Sequence, residues 1–137
     1  MERILDWNKY LDTAAKMVSE GIVMLKNENN ALPLDTDKEV AVFGRIQFHY
    51  YKSGTGSGGM VNVTKVVNIL DGLIDNGVKV NEKLLDTYRK WDKENPFDLG
   101  EGWGGEPWSQ KEMPLDEGLV KETAKTGSTS LICSMVE

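Results

Sequence analysis

Between Phe43 and Met60 the chain reads FGRIQFHYYKSGTGSGGM. An apolar run ends, an aromatic and basic stretch follows, and glycine then dominates. Gly44, Gly54, Gly56, Gly58 and Gly59 all fall within this span. Glycine loses more chain entropy on folding than other residues, so such density belongs where backbone needs positive φ or must approach something closely. The preceding run, Val40 to Phe43, follows charged residues and predicts a buried strand. Open α/β sheets place their sites at the carboxyl ends of strands. With Arg45, His49, Tyr50, Tyr51 and Lys52 alongside, this loop is expected to face a polar ligand or a neighbouring domain.

The rest of the chain supports a sheet of that kind. Asp6 is an expected N-cap for a helix to about Glu20, with Tyr10, Leu11, Ala14, Ala15, Met17 and Val18 at helical spacing and Gly21 as the stop. Ile22 to Leu25 reads as extended, and Asn27 to Asn30 with Pro33 as a turn. Asn62 or Thr64 is expected to cap a second helix through Val66, Val67, Ile69, Leu70, Leu73 and Ile74, ended by Asn76-Gly77. Val78 to Val80 predicts a short strand. Glu82 to about Lys93 predicts a third helix, with Leu84, Leu85, Tyr88 and Trp91 on one face. Asn95 to Pro114 reads as a long loop, Leu115 to about Lys125 as a fourth helix, and Ser130 to Val136 as a last strand. Strands alternating with helices give the βαβ rhythm of an open parallel sheet. The fold class is therefore α/β, a partial three-layer sandwich in which an incomplete open sheet is flanked by helices.

Bulk properties exclude several functions. The 137 residues suffice for one domain with a modest core. A net charge of −6 argues against nucleic acid as a partner, because phosphate binding needs a basic face. No apolar run approaches the roughly 18 residues of a membrane helix, and MERILDWNKY lacks the apolar stretch of a signal peptide. Cys133 is the sole cysteine and His49 the sole histidine, so an internal disulfide and any two-histidine site are excluded. These features lead to the expectation of a cytoplasmic protein without nucleic-acid or membrane partners.

Each loop also admits a plainer reading. Gly54, Gly56 and Gly59 match GxGxxG spacing, but a dinucleotide motif starts directly at the strand end. Gly54 lies well beyond it, and Asn81 stands where the acidic residue is expected. A structural loop crossing the sheet is the simpler alternative, with Arg45 and Lys52 as solvated charges and one of Tyr50 and Tyr51 in the core. The second loop, NPFDLGEGWGGEPWSQ, carries Phe97, Trp103 and Trp108 among Asp98, Glu101 and Glu106. Indole stacks on the apolar face of a sugar while carboxylates accept its hydroxyl hydrogen bonds. Packing of either indole onto the sheet is the alternative. Long loops without secondary structure tend to be functional.

Four segments carry a family resemblance: EGIVMLKNENNALPL (20–34), EVAVFGR (39–45), YYKSGTGSGGM (50–60) and GEGWGGEPWSQKEMP (100–114). Together they resemble family 3 glycoside hydrolases, the β-glucosidases and their relatives. More narrowly, they resemble bacterial members with reversed domain order, in which the α/β sandwich domain precedes a TIM barrel. The resemblance implies that residues 1–137 are the N-terminal portion of such a sandwich domain, without the barrel. It further implies a parent that is a retaining hydrolase of terminal β-linked glucose, requiring no metal or organic cofactor.

In that family an Asp nucleophile sits on the barrel, and a Glu acid/base usually comes from the sandwich domain. The nucleophile is then absent from these residues, and the acid/base is expected beyond Glu137. No residue here is expected to be catalytic. The implied contribution is to substrate binding, through Arg45, Tyr51, Lys52, Ser53, Gly54 and Gly56 on one loop and Trp103, Glu106 and Trp108 on the other. Implied partners are β-linked glucosides or oligosaccharides and a barrel of the same parent. An exposed sheet edge leads to the expectation of self-association. His49 departs from the pattern, since an acidic residue is expected just ahead of the tyrosine pair. The competing reading is a non-catalytic sugar-binding α/β module.

Overall fold

The computed structural model describes residues 5–50, 63, 65–100, 109–126 and 129–133. The chain divides into two compact units, Met1–Pro33 and Leu34–Glu137.

The first unit holds helix α1, Trp7–Gly21. Asp6 caps it as expected: its carboxylate accepts from the Lys9 amide at 3.1 Å, satisfying one orphan donor of the first turn. The backbone turns extended at Ile22, which ends the helix. Ile22 to Leu25 joins no strand. The turn after it is closed by Asn27, whose carboxamide donates to the Leu32 carbonyl at 2.8 Å and accepts from the Leu32 amide at 3.0 Å. Asn29 and Asn30 take positive φ, a conformation asparagine tolerates better than most residues.

The second unit is built on three parallel strands in the order β2-β1-β3: β1 is Glu39–Phe43, β2 Lys79–Val80 and β3 Thr129–Ile132. Alternation along β1 splits the core between two sides. Val40 and Val42 pack with Ile46, Leu70, Val80, Leu85 and Cys133. Ala41 and Phe43 pack with Leu84, Tyr88 and Met113. Helix α2 is Ile69–Asp75, α3 is Glu82–Glu94 and α4 is Glu117–Lys125. The α/β class and the small open sheet agree with the sequence reading.

Four boundaries differ from expectation: β2 starts at Lys79 rather than Val78, and of the other three, side-chain capping explains two. Helix α2 begins after Asn68, whose side chain accepts from the Asp71 amide at 2.7 Å. Val66 and Val67 stay outside it, and the expected cap Thr64 lies outside the described residues, as does Asn62. Helix α4 begins after Asp116, which accepts from Leu119, rather than at Leu115. Strand β3 runs from Thr129 to Ile132 and leaves out Cys133, while the rest of its expected continuation, residues 134–136, lies outside the described residues. Asn81, which stood in the place of a nucleotide-site carboxylate, is the N-cap of α3 and accepts from the Leu84 amide at 2.9 Å. No helix among the described residues is long and apolar enough to cross a membrane.

Candidate functional site

The order β2-β1-β3 makes the chain leave β1 to one side and return on the other. Such a switch of direction at the carboxyl ends of parallel strands opens the place where α/β sheets bind ligands. Gly44 occupies it with φ of +101°. A Cβ there would lie 1.7 Å from the Cys133 carbonyl oxygen, so only glycine lets the two strand ends meet. The Cys133 amide donates to the Phe43 carbonyl at 2.8 Å. Below this contact Tyr88 is buried. Burial raises its phenol above the ordinary tyrosine range, against an opposing hydrogen bond with the Gly44 backbone. Burial likewise raises the Cys133 thiol.

Beyond Gly44 a short 3-10 turn, Arg45–Gln47, folds back over the strand end. The Gln47 carboxamide donates to the Gly44 carbonyl at 2.9 Å, which holds the turn down. Arg45 is 1% exposed, not a solvated surface charge. Its Nη2 donates to Asp92 Oδ1 and to the Asn95 carbonyl, each at 2.7 Å. Its Nη1 donates to the Lys111 carbonyl at 2.9 Å. The guanidinium carbon lies 4.9 Å from the Trp91 ring centroid and 5.2 Å from that of Phe97, within cation–π reach of both. The Arg45 amide donates to Glu112 Oε2 at 2.9 Å.

Asp92 uses its second oxygen on His49, with Oδ2 2.7 Å from Nε2. A carboxylate offers only acceptors, so the imidazole hydrogen is on Nε2. The His49 ring also stacks on Phe97, with centroids 4.4 Å apart and planes 19° off parallel. An acidic side chain at position 49 would face the Asp92 carboxylate, whereas histidine supplies the donor that carboxylate lacks. The long loop is pinned at its root. Gln110 accepts from the Asp98 amide at 3.1 Å and donates to the Asp98 carbonyl at 2.7 Å. Lys111 Nζ reaches Asn95 Oδ1 at 2.6 Å. Both loops named from the sequence therefore start from one polar cluster at the carboxyl end of β1.

Residues 22–134 match the sequence profile described as the glycosyl hydrolase family 3 C-terminal domain. The chain belongs to glycosyl hydrolase family 3. A β-glucosidase of Ruminococcus albus is 58% identical over 127 residues, covering 93% of this chain and 13% of the relative. β-Glucosidase A of Butyrivibrio fibrisolvens is 30% identical over 133 residues, 96% of this chain and 15% of the relative. The structure of a β-glucosidase from Paenibacillus barengoltzii superposes with a TM-score of 0.80 at 49% identity, covering 95% of this chain and 14% of that one. β-Glucosidase 3B of Thermotoga neapolitana in complex with glucose superposes with a TM-score of 0.75 at 30% identity, 93% of this chain and 18% of that one. The family 3 chain thus spans about one-seventh of the length of the curated relatives it matches.

Of the binding residues expected from the sequence, Arg45 alone is described, and it is buried beneath the loop roots. Tyr51, Lys52, Ser53, Gly54, Gly56, Trp103, Glu106 and Trp108 lie outside the described residues. Tyr50 is exposed and not in the core; Tyr51, the other of that pair, is among those outside. Asp92, Phe97, Gln110, Lys111 and Glu112 were missed as the partners that organise the site. Asp92 reads in sequence as one more polar residue on an amphipathic helix. Phe97 is a single aromatic residue in a long loop, and Gln110, Lys111 and Glu112 lie in the resembling segment 100–114, which does not show what they pair with.

Proposed function

We propose that this chain contributes two sugar-facing segments to a retaining β-glucosidase that hydrolyses terminal β-linked glucose. The observation carrying the proposal is the 58% identity to a β-glucosidase across 93% of the chain. The geometry is compatible, since both segments rise from the carboxyl end of the central strand, where parallel sheets keep their ligands.

The catalytic carboxylates are assigned elsewhere in the parent. A retaining glycosidase places two carboxyl groups about 5–5.5 Å apart across the bond, one as nucleophile and one as acid/base. Among the described residues, the Asp92 and Glu112 carboxylates lie at the carboxyl end of β1, and each has both oxygens engaged. Asp92 is held by Arg45 and His49. Glu112 accepts the Arg45 and Met113 amides. They serve as structural acceptors, and the segments contribute recognition: indole faces for the sugar ring and carboxylates for its hydroxyls. In the proposed parent this sandwich domain precedes a TIM barrel that carries the nucleophile.

The test uses purified chain, an aryl β-glucoside and cellobiose. No hydrolysis is expected, together with saturable quenching of tryptophan fluorescence by cellobiose that weakens in Trp103→Ala and Trp108→Ala. Hydrolysis by the chain would overturn the division of labour, and absence of quenching would overturn the sugar-facing role. A non-catalytic binding module predicts the same quenching, and the native product's mass separates the two. A mass several-fold above 15.3 kDa supports the glycosidase. A mass near that value supports the module.

A further inference from the structure

We propose that His49 is a positioning residue that locks the root of the segment leaving β1 to the root of the Asn95–Lys111 segment. The proposal rests on the sugar-facing reading above for its consequence, and on the contacts alone for its mechanism.

Arg45 ties the end of β1 to both feet of the second segment, through the carbonyls of Asn95 and Lys111. Lys111 and Asn95 are also joined to each other, and Gln110 closes the segment onto Asp98. That second root is thus a closed ring of hydrogen bonds. Among the described residues, His49 ties the first root to it beyond the buried turn. Its ring touches α3 through Asp92 and the second segment through Phe97. Asp92 is the shared element, with one oxygen on Arg45 and the other on His49. The His49 contact therefore orients the same carboxylate that orients the guanidinium. Three residues on, the chain reaches Lys52, and the glycines follow.

Exposure separates His49 from the fold itself. Its side chain is 30% exposed, against 1% for Arg45. Replacing Arg45 strikes the core, whereas replacing His49 strikes the junction. A carboxylate at position 49 reverses the contact, because like charges at such range repel. A glutamine keeps a donor for Asp92.

The test compares the wild-type chain with His49→Gln and His49→Asp. Amide hydrogen exchange is read at Arg45 and Asp98, whose N–H groups bond to Glu112 and Gln110, and at Asn81 and Cys133, which bond within the sheet. His49→Asp is expected to speed exchange at Arg45 and Asp98 about tenfold as the two roots open locally, with Asn81 and Cys133 unchanged. His49→Gln should stay within about twofold of wild type. Unchanged exchange in His49→Asp overturns the proposal. So does a uniform increase that includes the sheet amides, or an increase in His49→Gln as large as that in His49→Asp. Cellobiose titration of the same three proteins, followed by indole N–H resonances, reads the consequence. Affinity is expected to fall in His49→Asp and to stay near wild type in His49→Gln. Wild type showing no cellobiose response would sink the sugar-facing reading, while the exchange pattern would still decide the coupling.

Discussion

Asp92 Oδ1 accepts from Arg45 Nη2 at 2.7 Å, and this ion pair joins the last turn of α3 to the end of β1. Arg45 is almost wholly enclosed, and Asp92 retains 19% side-chain exposure. Removing one member of a buried pair leaves the other charge desolvated without compensation, which costs about 3–5 kcal/mol. Arg45→Ala is expected to lose stability on that scale. Arg45→Lys should recover only part of it, because an ammonium cannot reach Asp92, Asn95 and Lys111 from one planar fork. Urea unfolding of the chain at neutral pH checks this. Arg45→Lys matching wild type would show that charge alone matters there.

Gly44 is the position least tolerant of a side chain. Its positive φ strains any L-residue by roughly 1–3 kcal/mol, and the Cys133 carbonyl stands where a Cβ must go. Gly44→Ala should cost more than the backbone term alone and should separate the carboxyl ends of β1 and β3. Faster exchange at the Cys133 amide, with the Asn81 amide unaffected, is the expected signature. An alanine variant as stable as wild type would contradict the close approach.

Alkaline pH should weaken the fold through Tyr88. Burial raises its folded value, so the folded chain keeps the phenol protonated where the unfolded chain ionises it. The stability contribution is complete below the ordinary tyrosine value of about 10. It is lost as pH rises from there through the raised value. Cys133, raised by the same cause, acts from its ordinary value of about 8.5 upward. Unfolding midpoints between pH 7 and 11 should fall for wild type and fall less for Tyr88→Phe. Equal slopes in the two proteins would remove Tyr88 from the account.

Asn81 caps α3 and also donates to Glu39 Oε2 at 3.1 Å, linking the helix start to β1. Asn81→Ala is expected to cost about 0.5–2 kcal/mol. Asn81→Asp keeps the cap but sets a carboxylate against Glu39. It should therefore be less stable than wild type at neutral pH and regain part of the loss as the carboxylates protonate. A denaturation series from pH 7 to pH 4 reads that difference against wild type.

Local chemistry made much of the chain legible before its structure. Asp6 before an apolar-periodic run specifies a capped helix wherever it sits. Val40 to Phe43, uninterrupted and apolar, can only be satisfied inside a sheet. The βαβ rhythm then leaves few topologies, and the four resembling segments pointed to the family. Capping set the limits of that reading at Asn68 and Asp116. Both Val67 and Leu115 continue the apolar pattern, yet a side chain that satisfies an orphan N–H decides where the helix starts.

The candidate site divides along the same line. Sequence alone determined that a glycine-rich segment leaves the end of a buried strand, and that a tryptophan-rich segment follows the third helix, because composition and order along the chain carry that information. The tertiary structure decided what joins them. Arg45 reads as a surface charge until Asp92, Asn95 and Lys111, 47 to 66 positions away, close around it. His49 reads as a departure from a pattern until the second oxygen of Asp92 meets it. Hydrogen bonds between segments so far apart leave no periodicity in the sequence, since each partner answers to a geometry that exists only once the sheet has formed.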